Sequence, residues 1–265
     1  MVRGLYRYRS FIWQNAVAEL RHRYAGTNLG VVWNVLHPLA LIAVYAAVFT
    51  GIMRQAGLPP VEGLSPQVTF VLYLTSGLLP WLAFAECLTR GCNAFTDNAA
   101  YLKKLPIPEQ VFVAQTATSA TLGLAISFSL LLVVSLALGL RPTWHWWLLP
   151  VPLISLQLLG FGLGLLCGTL NVFFRDIGQL LTLALQLVLW TVPIVYLEQS
   201  VRELAPVLRW HPLYPVLHAI RQLFLFRHDL PGAGLWAAML AWPLLACAVA
   251  WLAFGRLRTE IRDLL

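Results

Sequence analysis

The chain has 265 residues, of which 59% are hydrophobic and only 11% are charged, and its mean hydropathy is +0.74. Soluble domains carry about a quarter charged residues, so this composition excludes a soluble globular protein, and it excludes a disordered chain as well. Four cysteines are too few for a disulfide scaffold, and the net charge of +7 has to be interpreted from where the charges lie.

The first residues predict an amphipathic helix over 3–23 that lies in the headgroup plane of a membrane. Its apolar positions recur at spacings of three and four, at Leu5, Tyr8, Ile12, Ala16 and Leu20. The other positions are polar and basic, which is typical of interfacial helices. A basic flank that only fixes topology is the alternative. The segment has no apolar run like that of a signal peptide, so we expect no cleavage.

Six stretches of the chain contain no Asp, Glu, Lys or Arg. A helix needs about 20 residues to span the hydrocarbon of a bilayer, and each stretch has at least 21. The stretches are residues 24–53, 63–85, 110–140, 142–174, 177–197 and 230–255. The sequence therefore predicts an all-α integral membrane protein, with six transmembrane helices forming a single domain over residues 1–265.

The positions of Lys and Arg predict the orientation of these spans. If the N-terminus is cytoplasmic, twelve of the 18 basic residues fall in inner segments and six fall in outer ones. The positive-inside rule therefore favours N- and C-termini in the cytoplasm for this multi-pass membrane protein. The basic charge reports topology in this chain, and it does not indicate a nucleic-acid partner.

The inner loop between the second and third spans predicts a short helix over 98–106. Asp97 or Asn98 can cap its start, and two prolines follow its end. Lys103 and Lys104 lie in its last turn, where positive charge suits the helix dipole. This chemistry leaves two interpretations open, an ordinary capped loop helix and a docking helix for a cytosolic partner.

The outer segment 198–230 is interrupted by three prolines, yet it is apolar between its charges. A solvated loop does not have this composition. Two short helices that dip back into the outer leaflet do, and non-helical breaks at membrane depth are tolerated where protein or a water-filled cavity covers them. The segment therefore predicts two re-entrant gate helices that close the outer end of a path.

Aromatic residues of the spans are candidates for lining such a path. Tyr45 and Phe49 are four residues apart and share a helix face, and the second span carries Tyr73 and Trp81. Aromatic rings suit the apolar C–H faces of sugar rings. The alternative is that these residues form a membrane-interface belt or pack between helices.

Three glycines of the fourth span predict a close helix–helix contact. Gly160, Gly164 and Gly168 repeat every four residues, so another helix can approach their common face closely. Packing within the subunit and dimerisation both remain open.

The search for chemistry along the chain is mostly negative. The only lysines are Lys103 and Lys104, and neither follows a glycine, so there is no P-loop. We find no catalytic motif and no Cys/His spacing of a metal site, and we expect no catalytic residue, no metal and no cofactor in this chain. The uncharged spans argue against ion coupling, so energy for any transport would come from elsewhere.

Four segments resemble the permease subunits of the ATP-binding-cassette exporters of polysaccharides. LRHRYAGTNLGVVWNVLHPL at 20–39 is similar to the family's junction of interface helix and first span, and NAAYLKKLPIP at 98–108 to its coupling helix. LNVFFRDI at 170–177 resembles its turn between spans four and five. VPIVYLEQSV and WHPLYPVLHAIRQLFL, within 192–225, resemble its outer gate, although His211 stands where relatives commonly have Asn.

The resemblance implies a half-transporter. Two copies of the chain would pair around a central path, and two copies of a separate cytosolic P-loop ATPase would bind below and carry the ATP and Mg²⁺. The substrate would be a lipid-linked polysaccharide such as O-antigen, capsule or teichoic acid. It would move to the outer face of the inner membrane, with periplasmic export components as possible further partners.

The resemblance also assigns residues to four groups. The ATPase contact would comprise Asn98, Tyr101, Lys103, Lys104 and Pro106. At the inner mouth, basic groups could meet a lipid phosphate, the residues being Arg21, Arg23 and Tyr24. The path would be lined by Trp33, Tyr45, Phe49, Tyr73, Trp81, Phe84, Trp190 and Tyr196. The outer gate would comprise Arg202, Trp210, Pro212, Tyr214 and Arg221.

Two other classes of protein compete with this interpretation. One is a permease of the same architecture that exports a drug or a lipid. The other is an integral membrane enzyme, which would need a carboxylate or His pair at a membrane face. The carboxylates of the inner loops are scattered along the sequence, at Glu86, Asp97, Glu109 and Asp176.

Overall fold

The computed structural model describes residues 2–23, 26–51, 61–104, 106–198, 205–208, 210–226 and 230–264. These residues form α-helices joined by turns and two short 3₁₀ segments, and no strand occurs among them. The helices are α1 (Val2–Arg7), α2 (Arg9–His22), α3 (Trp33–Gly51), α4 (Pro66–Asp97), α5 (Ala99–Lys104), α6 (Gln110–Ala137), α7 (Pro150–Phe173), α8 (Ile177–Thr191), α9 (Ala205–Leu208), α10 (Tyr214–Phe224) and α11 (Ala233–Leu264). We name the ends of the bundle after the predicted orientation, so α5 lies at the inner end and α10 at the outer end.

Five helical segments of the described chain are long and apolar enough to cross a membrane, and they contain α3, α4, α6, α7 and α11. They coincide with five of the six predicted spans. The remaining prediction, the fifth span at residues 177–197, corresponds to α8, which has only 15 residues. At about 1.5 Å per residue, α8 is shorter than the roughly 30 Å of hydrocarbon.

Pro193 explains why α8 ends early. The residue before a proline is forced towards extended backbone, and Val192 has φ −112° and ψ 139°. The chain then runs through turns to Glu198, and Val192 and Ile194 are fully buried. Non-helical backbone in this segment is therefore covered by protein, as its apolar sequence requires.

Helix α4 is the central element of the fold. Ser65 caps its start by accepting a hydrogen bond from the backbone N–H of Val68 at 3.4 Å, and Pro66 occupies the first turn. Most of α4 is buried, and it packs against α3, α6, α7, α8 and α10. Helix α11 packs mainly on the other side of α7. In contrast, α3 and α8 leave most of their surface exposed.

The glycines of α7 serve packing within the chain. A Cβ on Gly168 would lie 2.7 Å from the carbonyl oxygen of Gly91 in α4, and one on Gly164 would lie 3.2 Å from its Cα. A Cβ on Gly160 would lie 3.0 Å from the sulfur of Cys87. Of the two interpretations left open by the sequence, the glycine face is thus used for the contact between α4 and α7.

The amphipathic pattern at the N-terminus becomes two helices, α1 and α2. Three residues of the predicted apolar face, Ile12, Ala16 and Leu20, are the buried residues of α2. Helix α2 packs against α6, and α1 contacts the start of α6. The apolar face therefore lies on the helix bundle and leaves the basic face outward.

Candidate functional site

Charged side chains tie α2 to α4 and α6 at the inner end. Arg23 forms an ion pair with both carboxylate oxygens of Glu86. Arg90, one turn further along α4, pairs with Glu86 at 3.0 Å and also with Glu19 of α2. The hydroxyl of Ser119 in α6 donates to Glu19 at 3.0 Å. Two arginines and two carboxylates balance one another, and together they fix α2 on the bundle.

The predicted inner-mouth residues therefore differ in whether their side chains are available to bind a phosphate. The guanidinium of Arg23 is already paired with Glu86, so a phosphate there would have to share or displace a carboxylate. Arg21 is exposed and forms no ion pair among the described residues. Tyr24 lies outside the described residues.

A polar cleft of about 140 Å³ lies beside this network, between α3, α4 and α6. Asn34 helps to shape it, because its amide donates to the carbonyl of Leu20 at 3.1 Å and thereby joins α3 to the end of α2. The polar and aromatic side chains of its wall are Arg23, Trp33, Asn34, His37, Glu86 and Ser127. The wall of the cleft thus contains the Arg23–Glu86 ion pair and the imidazole of His37.

Helix α5 presents an exposed polar face at the inner end. Tyr101 is 60% exposed, and Lys103, Lys104 and Pro106 are exposed as well. Leu102 is the buried residue of the helix and holds it to the bundle. Four of the five predicted ATPase-contact residues are therefore exposed on the surface of the protomer.

Asn98, the fifth residue of this group, does not act as the predicted side-chain cap of α5. Its amide donates to the carbonyl of Ala94 in α4 at 2.8 Å, while its backbone carbonyl accepts the N–H groups of Tyr101 and Leu102 at 3.0 Å. The side chain thus closes α4, and the backbone begins α5. Asn98 therefore links the end of α4 directly to the start of α5, and we call this junction the inner joint.

The inner ends of other helices are fastened to this joint. The hydroxyl of Tyr8 donates to the carbonyl of Pro106 at 3.4 Å. Asn171, which is buried in α7, donates to the carbonyl of Cys92 and to the side-chain oxygen of Asn93, both at 3.3 Å. Its own oxygen accepts the N–H of Gly178 at 3.2 Å. Asn171 thereby links α4, α7 and α8.

Sequence reasoning did not single out Asn171. The available signal was an amide in an otherwise apolar span just before a turn, in the segment LNVFFRDI. A buried amide has to satisfy its hydrogen bonds within the protein, which marks it as a tie between elements.

A buried carboxylate joins the last helix to α6. Glu109 is fully buried, and its carboxylate accepts a hydrogen bond from Nε of Arg258 at 3.0 Å. Glu86 is likewise engaged by two arginines. Two of the four carboxylates that an enzyme could use are therefore held in ion pairs. No group of three His, Cys, Asp or Glu suited to a metal occurs among the described residues.

Arg221 and Tyr73 form the core of the outer end. The guanidinium of Arg221 lies 3.6 Å from the ring centroid of Tyr73 and donates to its hydroxyl at 2.9 Å. It also donates to the carbonyls of Pro193, at 2.5 Å, and Ile194, at 3.3 Å. Helix α10, helix α4 and the segment after α8 thus meet at one buried cation.

Glu198 forms a second contact between the segment after α8 and α10. Its carboxylate accepts hydrogen bonds from the Tyr214 hydroxyl and lies 2.9 Å from Nδ1 of His218. Burial acts to raise the pKa of Glu198, but the contacts to His218 and Tyr214 and the charge of Arg221 outweigh it, so the pKa is lowered. The lowered pKa favours the charged form of Glu198, which lines a cavity of about 550 Å³.

The predicted path aromatics divide into two groups. Three rings of α4 are buried inside the protomer, namely Tyr73, Trp81 and Phe84. The other described rings reach the surface of the protomer in part or in full, namely Trp33, Tyr45, Trp190 and Tyr196. The side chain of Phe49 lies outside the described residues.

The predicted outer-gate residues are also spread out. Arg221 and Tyr214 belong to the buried contacts of α10, whereas Trp210 is 79% exposed. Pro212 is half-buried in the turn before α10. Arg202 lies outside the described residues.

The fold and the site define a multi-pass helical membrane protein whose polar contacts gather at the two ends of its helices. A family model described as "ABC-2 type transporter" matches residues 10–225, and the chain belongs to this family of transporter membrane subunits. The predicted family is therefore confirmed.

Several curated proteins are similar to this chain over most of its length. An "O-antigen export system permease protein RfbA" of Myxococcus xanthus is 30% identical over 238 residues, which cover 88% of this chain and 86% of that protein. A protein of the same name from Klebsiella pneumoniae is 27% identical, covering 78% and 77%. A "polysialic acid transport protein KpsM" of Escherichia coli is 23% identical, covering 77% of each.

Proposed function

We propose that this chain is the transmembrane subunit of an ATP-driven exporter that moves a lipid-linked polysaccharide, most simply O-antigen or capsule, across the cytoplasmic membrane. It works as a homodimer with two copies of a separate P-loop ATPase. The observation that carries the proposal is the family match together with relatives named for O-antigen or polysialic acid export along about four-fifths of the chain.

The exposed apolar faces of the protomer support a dimer around a path. Along α8, a stripe at spacings of three and four is 59–69% exposed, comprising Leu180, Leu183, Leu187 and Trp190. Such spacing places all four on one helix face. Helix α3 is also mostly exposed and carries Tyr45. We assign α3 and α8 to the side that faces the second protomer, with Trp190, Tyr196, Trp33 and Tyr45 bordering the path.

The polar joint around α5 supports docking of a cytosolic ATPase. Tyr101, Lys103 and Lys104 form an exposed surface on a helix that is rigidly tied to α4 and, through Asn171, to α7 and α8. Movement of a bound partner would therefore be passed to several spans at once. ATP and Mg²⁺ belong to that partner in this proposal.

Topology follows from the same assignment. Helix α8 and the segment 192–197 together make the fifth crossing, α10 re-enters at the outer end, and α2 lies at the inner interface. Both termini are then cytoplasmic, in line with the distribution of Lys and Arg. Reporters fused after Pro60 and Pro215 should be outside, and reporters fused after Lys103 and Leu265 inside.

Gene deletion in the native bacterium tests the proposal. We expect surface polysaccharide to disappear and lipid-linked polymer to accumulate inside, with both effects reversed by the wild-type chain. Normal surface polysaccharide in the deletion strain would overturn the proposal. Unchanged polysaccharide with a gain in sensitivity to drugs, or with altered lipid composition of the outer leaflet, would favour a permease of the same family for those substrates.

A further inference from the structure

We propose that Arg221 is a positioning residue that locks α10 and the segment 192–198 onto α4 as one rigid body. The outer end of each protomer then keeps its shape during the transport cycle, and the path opens between protomers. The inference rests on the proposed function in assuming that a path between two protomers exists and that a partner ATPase drives the cycle.

The position of Arg221 is unusual for a cation in an apolar bundle. The residue is 2% exposed, and no carboxylate lies within ion-pair distance of it in the described part of the chain. Its charge is instead met by two backbone carbonyls, a hydroxyl and an aromatic face. Moving α10 away from these groups would leave a buried charge without partners, which is strongly unfavourable.

Tyr73 extends the same contact to a third element. Its hydroxyl accepts from Arg221 and from the backbone N–H of Glu198 at 3.2 Å, and it donates to the carbonyl of Tyr196 at 3.4 Å. One hydroxyl of α4 is thus joined to α10 and to both ends of the turn before residue 198. Sequence reasoning assigned this ring to the path, whereas the structure places it as the partner of Arg221.

Gly77 leaves the space that the guanidinium needs. A Cβ at this position would lie 2.7 Å from Nη2 and 3.4 Å from Cζ of Arg221. The backbone of α4 there is ordinary helix, so a glycine is not required by conformation. The missing side chain is therefore explained by the close approach of the cation.

The neighbouring helices contrast with this body. Helix α8 has no buried residue along its length, and α3 has few. A helix with few buried side chains in the protomer can shift at lower cost than one whose buried cation is hydrogen-bonded to its neighbours. Relative motion is therefore expected along α3 and α8, where the second protomer would lie, while α10 stays on α4.

Hydrogen exchange in lipid nanodiscs tests the proposal. Backbone exchange of 192–198 and of α10 would be measured for the wild-type chain, alone and with its partner ATPase during ATP turnover. We expect the same protection in both conditions. Loss of protection in α10 or 192–198 during turnover would overturn the proposal, because it would show that the outer end opens within the protomer.

Three variants test the role of Arg221 itself. We expect R221Q, Y73F and G77A to speed exchange in 192–198 and α10 by about tenfold, with exchange in α6 and α7 unchanged. The matched control is G255A in α11, where a Cβ would meet nothing within 4 Å, and it should leave exchange as in the wild type. R221K keeps the charge and some donors, so it should fall between R221Q and the wild type.

The milder variants keep the test decisive if R221Q does not fold. Wild-type exchange in both Y73F and G77A would overturn the proposal, and so would faster exchange spread over the whole chain, which would indicate general destabilisation. None of these readouts needs the polysaccharide. A failure to export glycan would therefore refute the proposed function without touching this inference.

Discussion

At the scale of single residues, the structure separates paired charges from solvent-facing ones. Arg90 meets both Glu19 and Glu86, so R90A leaves two half-buried carboxylates with one remaining cation, Arg23. We expect R90A to lower the free energy of unfolding by about 1–2 kcal/mol. Thermal unfolding of the purified protein should show a midpoint a few degrees lower.

Arg21 provides the matched control for this prediction. It is exposed on the same helix and has no ion pair among the described residues, so R21A should leave the unfolding temperature unchanged. Equal effects of R90A and R21A would show that the network at the end of α2 does not stabilise the protein.

The ionisation of Glu198 predicts that the stability of the outer end depends on pH. Because its pKa is lowered in the folded protein, its stabilising contribution is present above the ordinary pKa of a Glu, 4.5, and is lost as pH falls through the lower folded value. The protection factor of segment 192–198, which is the intrinsic exchange rate relative to the measured rate at the same pH, should therefore fall in that acidic range. E198Q should remove this pH response, and an identical acid profile in E198Q and the wild type would contradict the assignment.

At the scale of elements, the contact between α4 and α7 predicts that no side chain larger than hydrogen is tolerated at Gly168. G168A places a Cβ 2.7 Å from the carbonyl oxygen of Gly91, so the two helices have to separate. We expect a loss of about 1–3 kcal/mol in the free energy of unfolding, seen as a lower melting temperature. G123A in α6, where a Cβ meets nothing within 4 Å, should not lower it.

Helix α5 predicts a loss of partner binding without loss of folding. The double variant Y101A/K103E removes an exposed ring and reverses an exposed charge, while Leu102, which holds the helix, stays in place. We expect export and co-purification of the ATPase to fall at least tenfold at normal protein levels. The control E62K reverses an exposed charge at the outer end and should be silent. Undiminished co-purification with Y101A/K103E would refute the docking assignment.

The elements themselves were largely predictable from the sequence. Uninterrupted uncharged stretches mark spans because a charge is costly in hydrocarbon, and the spacing of Ile12, Ala16 and Leu20 gave the buried face of α2. The end of α8 was not predicted, because hydropathy does not register the backbone constraint that Pro193 imposes on Val192. The glycines of α7 were recognised as a contact face, but only the structure shows that Gly91 is their partner.

At the scale of the whole molecule, the sequence could not show which polar groups meet. Arg221 and Tyr73 are separated by 148 residues. Their sequence surroundings predicted a path or belt residue for Tyr73 and an outer-gate residue for Arg221. Their contact depends on how α10 folds back on α4, and no local pattern encodes that. The same holds for the pairing of Arg258 with Glu109. The family, in contrast, followed from four local motifs in the right order.

At the scale of the whole molecule, the proposed function requires that a partner moves this membrane subunit and that the subunit carries a glycan. Its polar ties lie at the inner joint and the outer end, whereas the helices with the most exposed surface, α3 and α8, border the assigned path. An exporter driven from the cytosolic side would need firmly held ends and helices that can move beside the path. In the proposed function, ATP is hydrolysed by a partner, and the moving contact lies between two copies of this chain.

ATP-dependent translocation in proteoliposomes tests this central claim most directly. The chain and its partner ATPase would be reconstituted with a lipid-linked glycan, and the glycan appearing on the opposite face would be measured with a lectin. We predict translocation only when both subunits and ATP are present, and no ATP hydrolysis by this chain alone. Absence of glycan movement in the complete, ATP-hydrolysing complex, or hydrolysis by the isolated chain, would contradict the account.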